Sequence, residues 1–197
     1  MERDRGGRAI AIVAICIAVL GLSVAYASLS QQLNIVGNAT VKGDSWKVHF
    51  NNLASVTPTG YAAGTTANVT LSDTDVTVTG VTLTAPGDKI DIVFDIVNDG
   101  SIDAKIGTLT TSTPTFTGTT GDTKTTDETA AEGAFQYSLK YYSDGVAGAA
   151  VAANDTLDAG ETKTVILTLT LDSTTTTVPS KDVAVNGFGT TIVYVQK

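Results

Sequence analysis

The chain is nearly free of cysteine. Its one Cys, Cys16, sits inside an apolar run near the N-terminus. If that run is removed, no disulfide framework, Cys metal site or thiol chemistry remains. Aromatic residues make up only 6% of the 197 residues, so a core must rest on Val, Ile, Leu and Ala. Charged residues are scarce too, at 16% against a usual quarter. Arginine is confined to Arg3, Arg5 and Arg8, which leaves every later cation a Lys. An acidic chain of net charge -8 without Arg beyond its first residues excludes a nucleic-acid or phosphate-binding surface. The acidity would instead keep a subunit soluble in transit. Only one His, His49, is present. No HExxH, CxxC or Walker-type loop occurs, and His49 has no sequence partner for nucleophilic catalysis.

Threonine and glycine are plentiful, and both favour strands and turns over helices. Residues 9–25 carry no charge and follow a basic start, and Ala25-Tyr26-Ala27 supplies a small-x-small site. That order is the one a secretory signal takes, with cleavage between Ala27 and Ser28 by a signal peptidase. An uncut membrane anchor competes, since this length lies at the short edge of a bilayer span. A pilin-type leader cut near Gly6-Gly7 is the third reading. The expected organisation is a signal peptide over 1–27, a terminal strand over 28–41 and a β-sandwich over 42–197. Membrane contact is expected only through an uncleaved leader.

After Ser28 the pattern is period two. Leu33, Ile35, Gly37, Ala39 and Val41 alternate with polar residues. Trp46, Val48 and Phe50 share a side, with Lys47 and His49 opposite. Ile90, Ile92, Phe94 and Ile96 alternate with Asp91, Val93, Asp95 and Val97; Val165, Leu167, Leu169 and Leu171 alternate with Thr164, Ile166, Thr168 and Thr170. Such alternation broken by Gly, Asp and Asn predicts antiparallel sheets with one face buried. The fold class is all-β, an antiparallel β-sandwich resembling a jelly roll, behind an N-terminal hydrophobic signal helix. No soluble segment shows a 3.6-residue period. Residues 110–132, with Phe116 their one large apolar side chain, read as a long exposed connection, and 143–156 as a flexible or loosely paired stretch. "APGDKIDIVFDIV" and "DAGETKTVILTLT" each set a Gly-acid pair before a long strand, either a weak repeat or one turn solution used twice.

Three acidic sets could offer oxygens to a cation: Asp73 with Asp75; Asp95 with Asp99 and Asp103; Asp155 with Asp158 and Glu161. None has EF-hand spacing, and turn carboxylates explain them, so neither metal nor cofactor is expected. Sequons at Asn38, Asn68 and Asn154 are expected by chance in so Thr-rich a chain. Tyr137, Tyr141 and Tyr142 read as a strand with Tyr137 buried rather than a ligand platform.

Cleavage after Ala27 would free "SLSQQLNIVGNATV", in which Leu29, Leu33 and Ile35 point one way. Such a strand can pair within its own domain or fill a strand-deficient sandwich in another copy. The block Leu83, Pro86, Gly87, Asp88, Lys89, Phe94, Asn98, Gly100 and Ser101 resembles the "L-x-PGD-K … F-x-x-x-N-x-GS" block of the TasA/camelysin group of secreted biofilm-matrix proteins. The leader ending in "AYA" and "LNIVGNATVKGDSW" are similar too. The resemblance implies a jelly-roll sandwich, processing by a dedicated signal peptidase, and a homo-polymeric fibre built by donor-strand exchange outside the cell. Some members of that group are classed as metallopeptidases, but this sequence supplies no ligands for that activity. A monomeric binding module is the second reading and a peptidase the last.

Overall fold

The computed structural model describes residues 45–197, within a compact unit spanning Gly43–Lys197. The expected cleavage residues Ala25, Ala27 and Ser28, the donor residues Leu29, Leu33 and Ile35, Cys16 and the Asn38 sequon lie outside the described residues. No described helix is long and apolar enough to cross a membrane.

The unit is an all-β antiparallel sandwich, as the alternation predicts. One layer is a five-stranded sheet in the order β1 (Val48–Thr59), β4 (Lys89–Asn98), β10 (Thr162–Leu171), β7 (Phe135–Ser143), β8 (Val146–Ala150). The facing layer has two pieces. One is β12 (Gly189–Gln196), β5 (Ala104–Ser112) and β9 (Thr156–Leu157); the other is the pair β2 (Val69–Leu71) and β3 (Val76–Val78). The strands β6 (Thr115–Gly118) and β11 (Val183–Asn186) form a separate pair.

The core follows from the two long central strands. Ile90, Ile92, Phe94 and Ile96 of β4 and Val165 of β10 face Ala104, Ile106, Leu157 and Val69 of the second layer. Register pairs Val165 with Phe94 and Leu167 with Ile92, so the apolar rows of both strands fall on one face. The other face departs from the one-sided expectation, because Val93, Val97 and Ile166 are buried there as well. Polar neighbours flank them: the Thr164 hydroxyl donates to Asp95 at 2.7 Å and the Thr168 hydroxyl to Asp91 at 2.7 Å. These cross-strand bonds hold the carboxylates flat along the sheet and shield the aliphatic groups between them.

Four other expectations need correction. Trp46 does not share the core side of Val48 and Phe50; it precedes β1 and is 44% exposed. His49 does not stand in open water; its side chain is 11% exposed, with Nε2 3.6 Å from Asp99. The expected connection over 110–132 contains the end of β5, then β6, and then most of a helix, α1 (Lys124–Ala134). That helix buries Asp127, Ala131 and Ala134 at i, i+4 and i+7, so its inner stripe holds no large apolar residue. It runs straight into β7, whose aromatic start favours the extended backbone. Asp127 Oδ1 accepts from the Ser180 backbone N–H at 2.7 Å and its hydroxyl at 2.9 Å, tying the helix to the chain before β11. The stretch 143–156, expected to be loose, is a tight hairpin return through Asp144 and Gly145 (φ 53° and 79°) into β8, followed by the turn into β9.

Candidate functional site: an open seam in the second layer

The residues singled out by motif build the scaffold at the two ends of β4. Leu83 packs on the core, Pro86 and Gly87 form the exposed turn, and Asp88 closes it, 2% exposed. The Asp88 carboxylate accepts backbone N–H groups from Tyr61, Thr84 and Ala85, each at 2.8 Å. Burial pushes this carboxyl's pKa up, but the three donors outweigh it and hold it below the usual carboxylate range. Gly60 supplies the close approach: at φ +78°, a Cβ there would lie 2.2 Å from Asp88 Oδ1. Lys89 donates to Asp91 at 2.7 Å, and Phe94 meets Phe50 edge to face at 5.6 Å.

At the far end Asn98 is fully buried, and its groups are satisfied. Nδ2 donates to Ile102 O at 2.9 Å and Leu157 O at 3.1 Å, and Oδ1 accepts from Gly100 N–H at 3.1 Å. Gly100 lets residues 45–47 pack on this corner, since a Cβ there would fall 2.4 Å from Ser45 O. Ser101 N–H donates to Ser45 O at 2.9 Å, and Ser45 N–H to Ser101 Oγ at 2.9 Å. The nine motif residues thus lock turns and core; they do not converge on a reactive centre.

The acidic sets are used in the same structural way. Asp95 is taken up by Asn52 and Thr164, Asp99 by Lys47, and Asp155 by Tyr141 and the Ala152 N–H. Glu161 accepts the Asp158 N–H at 2.7 Å, so both Gly-acid pairs bind nearby backbone amides as expected. Among the described residues no group of three or more His, Cys, Asp and Glu is arranged to hold a metal. Of the described sequons, Asn68 spends its amide on Gly80 O and Thr65 N–H, whereas Asn154 is exposed. Tyr137 is half-buried and bonds Gly189 O at 2.9 Å and Ser112 O, within a ring cluster with Phe135 and Phe188.

What the motif did not reveal is a gap. The two pieces of the second layer do not join among the described residues: β3 pairs only with β2, and β12 only with β5. Between them runs a groove of about 520 Å³. Its floor is Phe50, Phe94, Leu139 and Leu167, the inner face of the five-stranded sheet. One wall is residues 74–78, carrying β3, and the other is residues 185–192, carrying the start of β12. Within these walls β3 and β12 each have one edge with no ladder partner among the described residues, while Val185 and Asn186 pair with β6 and Gly189 O accepts from the Tyr137 hydroxyl. The site is therefore a trough with an aliphatic and aromatic floor, walls that carry Thr, Asp and Asn side chains, and open strand edges at β3 and β12 among the described residues. It can take up an extended segment whose alternate side chains point inward. No family model matches the chain, nor does any curated protein or solved structure.

Proposed function

We propose that the chain is a secreted structural subunit of an extracellular fibre, assembled head to tail by donor-strand exchange. One observation carries this reading: among the described residues the second layer is open between β3 and β12, and the trough there has an aliphatic and aromatic floor. The segment offered to it is 28–41 of a second copy, with Leu29, Leu33 and Ile35 spaced for one face of a strand. Each large apolar side chain buried this way contributes about 1.5–3 kcal/mol, and each ladder hydrogen bond about 0.5–1.5 kcal/mol net. A segment that donates to one neighbour while its own trough accepts from another makes a contact that does not close, and so makes a filament. The likeness of the motif block to TasA/camelysin proteins agrees with this function and supports extracellular matrix as its place.

The test is negative-stain microscopy of the exported form beside a variant lacking residues 28–36. Filaments from the first and folded, filament-free monomers from the second are expected, with circular dichroism reporting the fold. Monodisperse monomers of the intact exported form at high concentration would replace this reading with the binding module.

A further inference from the structure

Asn186-Gly187 is the one Asn-Gly pair in the chain, and it stands where β11 hands over to β12. Asn186 is the last residue of the β11 ladder, opposite Thr115, and both Asn186 and Gly187 are exposed. Gly187 has a left-handed φ of +71°, and a Cβ there would meet nothing within 4 Å. Neither the Asn186 side-chain amide nor the Gly187 N–H has a hydrogen-bond partner among the described residues. Other asparagines are held. Asn52, Asn68 and Asn98 spend their side chains on Asp95, Gly80 O and Ile102 O. Asn154 is exposed, but Asp155 follows it, and the Asp155 N–H donates to Ala152 O at 3.3 Å.

We propose that Asn186 is a self-modifying site, at which the Gly187 nitrogen attacks the Asn186 side chain and converts it to aspartate and isoaspartate. The Gly187 N–H gives its proton to hydroxide. The nitrogen then forms a bond to Asn186 Cγ, the Cγ–Nδ2 bond breaks, and Nδ2 takes up a proton and leaves as ammonia. The product is a five-membered succinimide. Water opens it at either carbonyl. Breaking the bond to Cγ gives aspartate; breaking the bond to the main-chain carbonyl gives isoaspartate, whose main chain runs through Cγ and is one carbon longer. Nothing is oxidised or reduced, and water is the sole co-reactant. No side chain at 187 screens the nitrogen, and glycine reaches the backbone angles that ring closure needs. The reacting groups are neighbours in one chain, so their encounter is intramolecular. As the nitrogen loses its proton, charge settles on Asn186 O, to which the Thr115 hydroxyl already donates at 3.3 Å. Asn186 and Gly187 lie in one wall of the trough and Asp75 in the other, so conversion adds a carboxylate at that wall to a chain of net charge -8. The modification itself is independent of what the trough accepts.

The test is incubation of the folded full chain in neutral and in mildly alkaline buffer, followed by peptide mass mapping and by enzymatic methyl transfer to isoaspartate. Conversion at Asn186 should be at least about tenfold faster than at Asn154, a barrier difference of about 1.4 kcal/mol. It should quicken in alkali, release ammonia, and place a methyl-accepting isoaspartate in the peptide that holds residue 186. The variant Asn186→Gln, which would have to close a six-membered ring, should lose that signal. Mapping needs no variant, so the native sequence decides the matter even where Asn186→Gln folds poorly. Conversion at Asn186 no faster than at Asn154, or seen only after unfolding in urea, would overturn the inference. Methyl acceptance confined to Asp99 and Asp144, each also followed by glycine, would overturn it as well.

Discussion

At the scale of single residues the protein spends its polar groups on holding turns. Asn98 is the clearest case, since three partners converge on one buried amide. Asn98→Leu should cost about 1–3 kcal/mol, because two carbonyls and an N–H lose their partner, measured as a lower denaturant midpoint at unchanged slope. Gly60→Ala should cost more than about 1 kcal/mol, since the backbone is left-handed there and the new methyl strikes Asp88. A midpoint within error of the parent would refute that geometry. Asp88 was legible in the sequence as a turn acid, and Glu161 likewise. His49 was not, because alternation assigns a side to a residue and says nothing of what else covers that side.

At the scale of elements, period two revealed β4 and β10 because both carry four aliphatic or aromatic residues in alternation. The same reasoning missed α1. Its buried stripe is Asp127, Ala131 and Ala134, too small and too polar to raise a helical period. It also missed the trough, which depends on how strands divide between sheets, and no local pattern encodes that division. Asp127→Ala should free the helix from Ser180; limited proteolysis should then cut faster within residues 173–181, while cleavage elsewhere stays as in the parent. Phe94→Ala removes part of both the core and the trough floor. A loss of about 3–5 kcal/mol is expected on chemical denaturation.

For the whole molecule, pH and salt are the relevant variables. Asp88 has a pKa below its unfolded value, so its contribution is complete above that value and is lost as pH falls through the folded one. Asp127, Glu128 and Asp172 are lowered too, Asp127 by the Thr123 hydroxyl and Ser180 N–H, Glu128 by Lys124, and Asp172 by Thr174. Thermal unfolding should therefore hold steady from neutrality to about pH 5 and fall below about pH 4; an acid-insensitive midpoint would contradict these assignments. Copies of net charge -8 repel one another, so assembly followed by light scattering should quicken as salt is raised from about 10 mM to 150 mM. Slower assembly with salt would point to ionic rather than apolar joining.

The placement of Asp88 and Asn98 at opposite ends of β4 also acts as a ruler. A slip of one residue would carry both away from their fixed partners at once, and would turn the isoleucine row outward. Length is thus specified at this strand. An added residue between 89 and 97 should abolish folding, whereas the same insertion within 174–178 should leave the domain intact.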